Sequence, residues 1–305
     1  MLPRSDEMYE MVATLPLGEL CRWAAEVCQL GHGDLVTYSR RVFVPLTSLC
    51  QDFCHYGAFA TVPKRHASAY LSADEAVSLA LHGQALGCKE VLFTLGEKPE
   101  LHYQAAREAL HQLCFGTTLE YVAHVAGRVM HETGLLPHIN AGCMTPDEIS
   151  MLRKVSVSMG IMLENVSTRL CEKGQVHYGS HDKHPAARMQ TLEDAGKAGV
   201  PFTTGILVGV GETWNEQLDS LLAIRDLHQQ YGHIQEIIIQ NFATKADTKT
   251  ARVAPPADED FLRTLAVARL VFGPSMSIQA PPSLNPGKLT QLLNSGVNEI
   301  GRAHV

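Results

Sequence analysis

No apolar run in this chain approaches the roughly 18 residues needed to span a bilayer, and the opening Met1-Leu2-Pro3-Arg4-Ser5-Asp6-Glu7 is polar and acidic without an apolar signal core. These absences point to a soluble, cytoplasmic protein with no membrane partner. Positive charge is scarce: 25 Lys plus Arg stand against 32 Asp plus Glu, a net charge of -7, the wrong sign for a surface that tracks phosphates. Nucleic acid is therefore excluded as a main partner. No stretch reads as a Pro/Gly/Ser-rich linker or a low-complexity segment. With 45% hydrophobic and 19% charged residues, disordered, collagenous and coiled-coil chains are excluded as well. Without a secretion signal, the eight cysteines default to reduced thiols rather than disulfides.

What is present is an alternation of short β-rich runs and long helical patterns over 305 residues, a length that suits two domains or one large barrel. The strand candidates are 42–46, 91–95, 136–139, 155–163, 202–208, 234–239 and 277–280. Helix starts are visible between them, for example Ser72-Ala73-Asp74-Glu75 and Thr145-Pro146-Asp147-Glu148, where a hydroxyl cap and a Glu three residues on satisfy free amide groups. Alternation of this kind implies a parallel sheet, and its spacing favours one α/β fold of the TIM-type (β/α) barrel kind. Such a barrel carries its chemistry on the loops after the strand C-termini. An amphipathic helix over about Met8 to Val27 precedes the first strand and is expected to cap the barrel.

The loop after the first strand reads Leu49-Cys50-Gln51-Asp52-Phe53-Cys54-His55-Tyr56-Gly57. Thiolates on one short loop can converge on a soft metal centre, either zinc or an iron–sulfur cluster. Alone, two cysteines four apart are more often coincidence than a site. A two-cysteine zinc centre completed by His55 is one reading. Glu97, Glu164 and Glu212 each follow a strand, although strand-end carboxylates are usually just solvated charges. His177, His181 and His184 span a loop, 174–185, that reads as solvated or as a lid over a barrel mouth. The glycine run from Gly205 to Gly211 lacks the Lys-Ser/Thr of a Walker loop.

Together these positions resemble the radical S-adenosylmethionine (radical SAM) superfamily. Cys50 and Cys54 match the first two places of its C-x3-C-x2-C signature. Tyr56 matches the aromatic residue before the third place, Leu95-Gly96-Glu97 its G-G-E motif, and Gly205-Ile206-Leu207-Val208-Gly209-Val210-Gly211-Glu212 its G-x-I-x-G-x-x-E motif. The resemblance implies a [4Fe–4S] cluster with Cys50 and Cys54 as metal ligands. It also implies S-adenosylmethionine bound by Glu97 through its amino group, and by Tyr56, Gly205, Gly209 and Glu212 near the adenine. Longer stretches, among them Phe93-Thr94-Leu95-Gly96-Glu97, Glu132-Thr133-Gly134-Leu135-Leu136-Pro137-His138 and Pro201-Phe202-Thr203-Thr204-Gly205, resemble 7,8-didemethyl-8-hydroxy-5-deazariboflavin synthase over nearly the whole chain. That resemblance implies a radical lyase of coenzyme F-420 biosynthesis. Its substrate would be the small-molecule hydroxybenzyl–ribityliminouracil adduct, closed to the deazaflavin with loss of ammonia. A hydroxybenzyl transferase, separate or fused, would supply the adduct.

Two departures stand out. The third cysteine place holds Gly57, which ligates nothing, so a catalytically inactive paralogue that keeps substrate or partner binding is the alternative function. After Asn298 the family continues into a strand rich in Asp, Trp and Gly, whereas this chain reads Glu299-Ile300-Gly301-Arg302-Ala303-His304-Val305. The last six residues can be encoded by a string shared with a common sequencing-library adapter. The expected organisation is therefore a capping-helix region over 1–35, a radical SAM barrel over 36–298 lacking its eighth strand, and a non-native tail over 299–305.

Overall fold

The computed structural model describes residues 6–303 apart from 53, 58, 64–67 and 247. All seven expected strands form: β1 (Thr37–Pro45), β2 (Glu90–Thr94), β3 (Leu136–Asn140), β4 (Ser158–Gly160), β5 (Phe202–Val208), β6 (Ile234–Asn241) and β7 (Ser277–Gln279). β5 is buried along its whole length, as a strand covered by side chains inside and helices outside must be. The helices are α1 (Asp6–Thr14), α2 (Leu17–His32), α3 (Ala73–Ala85), α4 (Gln104–Gln112), α5 (Thr118–Thr133) and α6 (Pro146–Leu152). They continue with α7 (Pro185–Lys197), α8 (Trp214–Tyr231), α9 (Asp258–Phe272) and α10 (Leu289–Asn294). Both capping boxes read from the sequence are made, Ser72 with Glu75 and Thr145 with Glu148. Thr117 with Glu120 and Thr213 with Glu216 repeat the device at α5 and α8. Each box pins the point where a loop turns into its helix, at about 1 kcal/mol per cap. No helix among the described residues is long and apolar enough to cross a membrane.

Two expectations need correction. The single helix over Met8 to Val27 is two helices, because Pro16 holds an extended ψ of 133° and disfavours helical backbone at the residue before it. α2 then packs Leu20 and Ala24 against Ala266 of α9, and His32 Nε2 comes within 3.2 Å of the Met276 carbonyl, just before β7.

The second correction is at the barrel's end, which is not open. β8 (Glu299–Ala303) pairs in parallel with β1 and β7, closing the order β1 to β8. The last two residues of the expected tail, 304–305, lie outside the described residues. The physical reason is in Asn298 and Arg269. Asn298 accepts the Thr37 amide on its carbonyl (2.9 Å) and donates its own amide to the Ile278 carbonyl (3.2 Å). Its Oδ1 takes the Ile278 amide at 2.8 Å and Arg269 Nη2 at 2.5 Å. Arg269 is fully buried, and it also donates to the carbonyls of Gly296 (2.8 Å), Met276 (2.7 Å) and Gly273 (3.0 Å). Edge amides of β1 and β7 that would be unpaired in an open barrel are thus satisfied.

Candidate active site

The strand C-termini place the candidate residues together. The loop after β1 crosses the end of β2, where the Gly96 amide donates to the Thr47 carbonyl and the Gln51 amide to the Glu97 carbonyl, both at 2.9 Å. A Cβ on Gly96 would sit 1.8 Å from the Leu49 carbonyl oxygen, so only glycine lets the two segments approach. Glu97 then donates its backbone amide to Cys50 Sγ at 3.2 Å. The Gly-Glu pair at the end of β2 is, locally, a clamp on the cysteine loop.

Above the barrel lies a cavity of about 200 Å³ whose walls include Cys50, Cys54, Glu97, Glu164, Lys183 and Arg188. Glu97 is 5% exposed, and its Oε1 accepts the Cys143 amide at 2.6 Å. Room for that carboxyl comes from Gly142, at φ +81°, where a Cβ would lie 2.3 Å from the Glu97 carboxyl carbon. Burial, with the like charge of Asp182 behind it, pushes the Glu97 carboxyl up from the ordinary range. Glu164, at φ +65° after β4, is the opposite case. Burial raises its pKa, but Lys183, Arg188 and His177 outweigh that and hold the carboxyl well below the usual range. Lys183 pairs with Oε1, Tyr56 donates its hydroxyl to Oε2, and Arg188 stands 3.7 Å off. Backbone bonds tie Glu164 to β5, its amide to the Gly205 carbonyl (3.0 Å) and its carbonyl to the Leu207 amide (3.1 Å).

Of the residues read from the sequence, Cys50, Cys54 and Glu97 line this cavity, while Tyr56 sits beside it with Lys183 Nζ 5.5 Å from its ring centroid. Gly205 supports the cavity from β5, where a Cβ would meet the Ile238 carbonyl oxygen at 1.8 Å. Glu212 turns back on its own loop and accepts the amides of Gly209 (2.7 Å) and Val210 (2.8 Å) and Gln217 Nε2 (2.7 Å). It fastens the turn after β5 and is not part of the cavity wall. His55 faces away from the cavity, its Nε2 3.3 Å from Lys249 Nζ.

Lys183 and Arg188 escape the sequence reading, which takes His177 only as part of a loop, 174–185, that is solvated or a lid over the barrel mouth. His177 is not solvated: it is 2% exposed with Nε2 3.2 Å from Glu164 Oε2, while His181 and His184 are exposed. Arg188 left a trace, since it stands four and seven residues before the buried Leu192 and Ala195, on the inward stripe of α7.

As a donor set, the loop offers two thiols. Burial pushes Cys50 up to about 11 and raises Cys54 too. The third place of the expected signature faces the same point, since a Cβ on Gly57 would lie 3.3 Å from Cys54 Cβ, yet it carries no donor. This set does not fit a cluster held by three thiolates of one chain. Elsewhere among the described residues, Glu97, Cys143 and Asp182 bring ligand atoms within 4.8 Å of one another.

Residues 44–224 match the radical SAM superfamily model, whose members use a [4Fe–4S] cluster and S-adenosylmethionine. The chain is 48% identical over 301 residues to an FO synthase of Mycobacterium tuberculosis, covering 93% of this chain and 35% of that protein. A 7,8-didemethyl-8-hydroxy-5-deazariboflavin synthase of Methanopyrus kandleri is 43% identical over 267 residues, with 88% and 80% covered. The chain thus spans about a third of the length of the FO synthases it matches. In fold it is similar to methylornithine synthase at a TM-score of 0.75, 20% identity and coverage of 98% and 82%. The maturase HydG from Carboxydothermus hydrogenoformans gives 0.75, 19%, 97% and 70%. With the superfamily model matched over residues 44–224 of an eight-stranded barrel and a relative 43% identical covered over 80% of its length, the chain belongs to the radical SAM superfamily and, within it, to the 7,8-didemethyl-8-hydroxy-5-deazariboflavin synthase family.

Proposed function

We propose that this chain is the ring-closing half of deazaflavin synthesis: a carbon–nitrogen lyase acting on the hydroxybenzyl–ribityliminouracil adduct and releasing ammonia. A hydroxybenzyl transferase supplies that adduct. The observation that carries the reading is convergence. Cys50, Cys54, Glu97 and the Glu164–Lys183–Arg188 group line one cavity, in a chain 43% identical to a protein named for this product. In this reading Glu97 holds the amino group of S-adenosylmethionine, the Tyr56 backbone lies against the adenine, and Gly205 and Gly209 let the strand end approach it. Glu212 acts on that side only through the turn it fastens. Fixed groups on the loops at the strand ends supply orientation, with Glu97, Glu164 and Arg188 held buried in the cavity wall.

Gly57 favours a second reading, a non-catalytic barrel that retains binding. One experiment separates the two. Gly57→Cys is loaded anaerobically with iron and sulfide and given S-adenosylmethionine and the adduct, and deazaflavin fluorescence is followed. Product from Gly57→Cys supports the lyase. A fully loaded variant that binds both molecules and yields neither cleavage nor product supports the inert paralogue.

A further inference from the structure

Beside the cysteine loop stands a donor set that owes nothing to Cys50 or Cys54. Glu97, Cys143 and Asp182 bring two carboxylate oxygens and one sulfur within 4.8 Å of one another. They arrive from three separate segments, the loop after β2, the loop after β3 and the turn ahead of α7. Donors around one tetrahedral zinc stand about 3.5 Å apart, so small side-chain rotations would seat an ion among the three. A second observation points to a cation. Glu97 is 5% exposed, lines the cavity and makes no ion pair among the described residues. Its Oε1 accepts the Cys143 amide at 2.6 Å, while its Oε2 has no hydrogen-bond partner among those residues. The neighbouring Asp182 carboxylate adds like charge and takes one hydrogen bond, from Gln51 Nε2. Arg188 is committed elsewhere, to the carbonyls of Asp182 (2.8 Å) and Met162 and to Glu164 at 3.7 Å.

We propose that Glu97, Cys143 and Asp182 form a mononuclear site for a divalent ion of the zinc class. The inference goes beyond the lyase reading and does not depend on it. Calcium and magnesium take oxygen donors alone, whereas zinc accepts a thiolate together with carboxylates, and three protein donors leave its fourth position open. On binding, the Cys143 S–H bond breaks, the proton leaves to solvent, a sulfur–metal bond forms, and no oxidation state changes. A proton carried by Glu97 leaves in the same way. His55, which a two-cysteine zinc centre on the loop would need, faces Lys249 instead. In the reading above Glu97 holds the amino group of S-adenosylmethionine, so ion and cosubstrate exclude each other.

The test uses the whole metal-free chain, reduced with a phosphine and free of S-adenosylmethionine, titrated with Zn²⁺ and, as a spectroscopic probe, with Co²⁺. One zinc per chain should survive desalting. The cobalt form should show a thiolate-to-metal charge-transfer band in the near ultraviolet and the strong visible bands of four-coordinate geometry. Asp182→Asn and Cys143→Ser should each weaken binding about ten-fold or more, and Cys143→Ser should also abolish the thiolate band. Cys54→Ser, which removes one of the two loop thiols, should leave the band in place. Alkylation followed by peptide mass measurement asks the same question without a variant: zinc should slow the labelling of Cys143 and leave that of Cys50 and Cys54 unchanged. No retained zinc, or a cobalt spectrum without a thiolate band, overturns the proposal. So does a band that survives Cys143→Ser and is lost in Cys54→Ser, or zinc that shields Cys50 and Cys54 in place of Cys143.

Discussion

Gly142→Ala is the sharpest test of how the site is built, because the structure separates its cost into two parts. The first is backbone: φ is +81°, and an L side chain in left-handed backbone costs about 1–2 kcal/mol. The second is displacement. The new Cβ would sit 2.3 Å from the Glu97 carboxyl, so the carboxyl must leave and its 2.6 Å bond from the Cys143 amide is lost. Because burial favours the neutral form of this carboxyl, the ordinary hydrogen-bond value applies, about 0.5–1.5 kcal/mol. Gly134→Ala provides the control. Gly134 ends α5 at φ +69° with nothing within 4 Å of a built Cβ, so only the backbone cost applies. Urea unfolding of the metal-free proteins at pH 7 should show Gly142→Ala losing about 1.5–3.5 kcal/mol and Gly134→Ala about 1–2 kcal/mol. A titration with S-adenosylmethionine should show weakened binding for Gly142→Ala alone. Equal stability losses in the two variants would refute the claim that Gly142 exists to seat Glu97.

Three further outcomes follow from the same geometry. The Glu97 carboxyl is raised by burial and Asp182, so the folded protein favours its protonated form. Its contribution is therefore lost as pH rises from the ordinary carboxylate range through the raised value. Glu97→Gln should flatten that fall in metal-free stability curves between pH 4 and 8, and an unchanged slope would count against it. Glu97→Ala should bind S-adenosylmethionine more weakly yet unfold cooperatively, and equal affinity by calorimetry would remove Glu97 from the site. Glu164→Ala leaves Lys183 and Arg188 buried without their carboxylate. The expected loss is about 3–5 kcal/mol in denaturant unfolding, and a loss below 1 kcal/mol would show that solvent reaches both cations.

The legible part of the fold was the part written in local chemistry. β-Branched and apolar runs bounded by turns located seven strands, and hydroxyl–Glu spacings located two helix starts that the structure confirms as closed capping boxes. Cys50, Cys54 and Glu97 were picked out by the family resemblance, and each lies on a loop that follows a strand, where barrel geometry gathers them into one cavity wall. Lys183 and His177 carried only the reading of their loop as solvated or a lid, because Lys183 reaches the cavity, and His177 reaches Glu164, from the irregular segment 161–184. Its path depends on a left-handed Glu164 and on bonds to β5 that no local pattern announces. The break at Pro16 was legible in principle and was overridden by the amphipathic pattern running through it. β8 was set aside for a different reason: residues 299–305 depart from the Asp-, Trp- and Gly-rich strand that the resemblance implies, and the residues that aim the chain into the gap lie outside that strand.

That last point bears on how the barrel selects its final partner. Asn298 and Arg269 aim the chain between β1 and β7 before the first residue of β8 begins. The segment that follows is offered two templates whose hydrogen-bonding groups already face the gap, and its own residues then fit it there: the Glu299 carboxylate accepts from the Thr37 hydroxyl and the Gly301 amide, and Gly301, at φ +69°, leaves no room for a Cβ beside Gln279. The seam is thus specified twice, once by the pair that aims the chain and once by the glycine that lets it pass Gln279. A change at Asn298 or Arg269 should mis-aim the whole segment, whereas a side chain at Gly301 should disturb only the seam with β7.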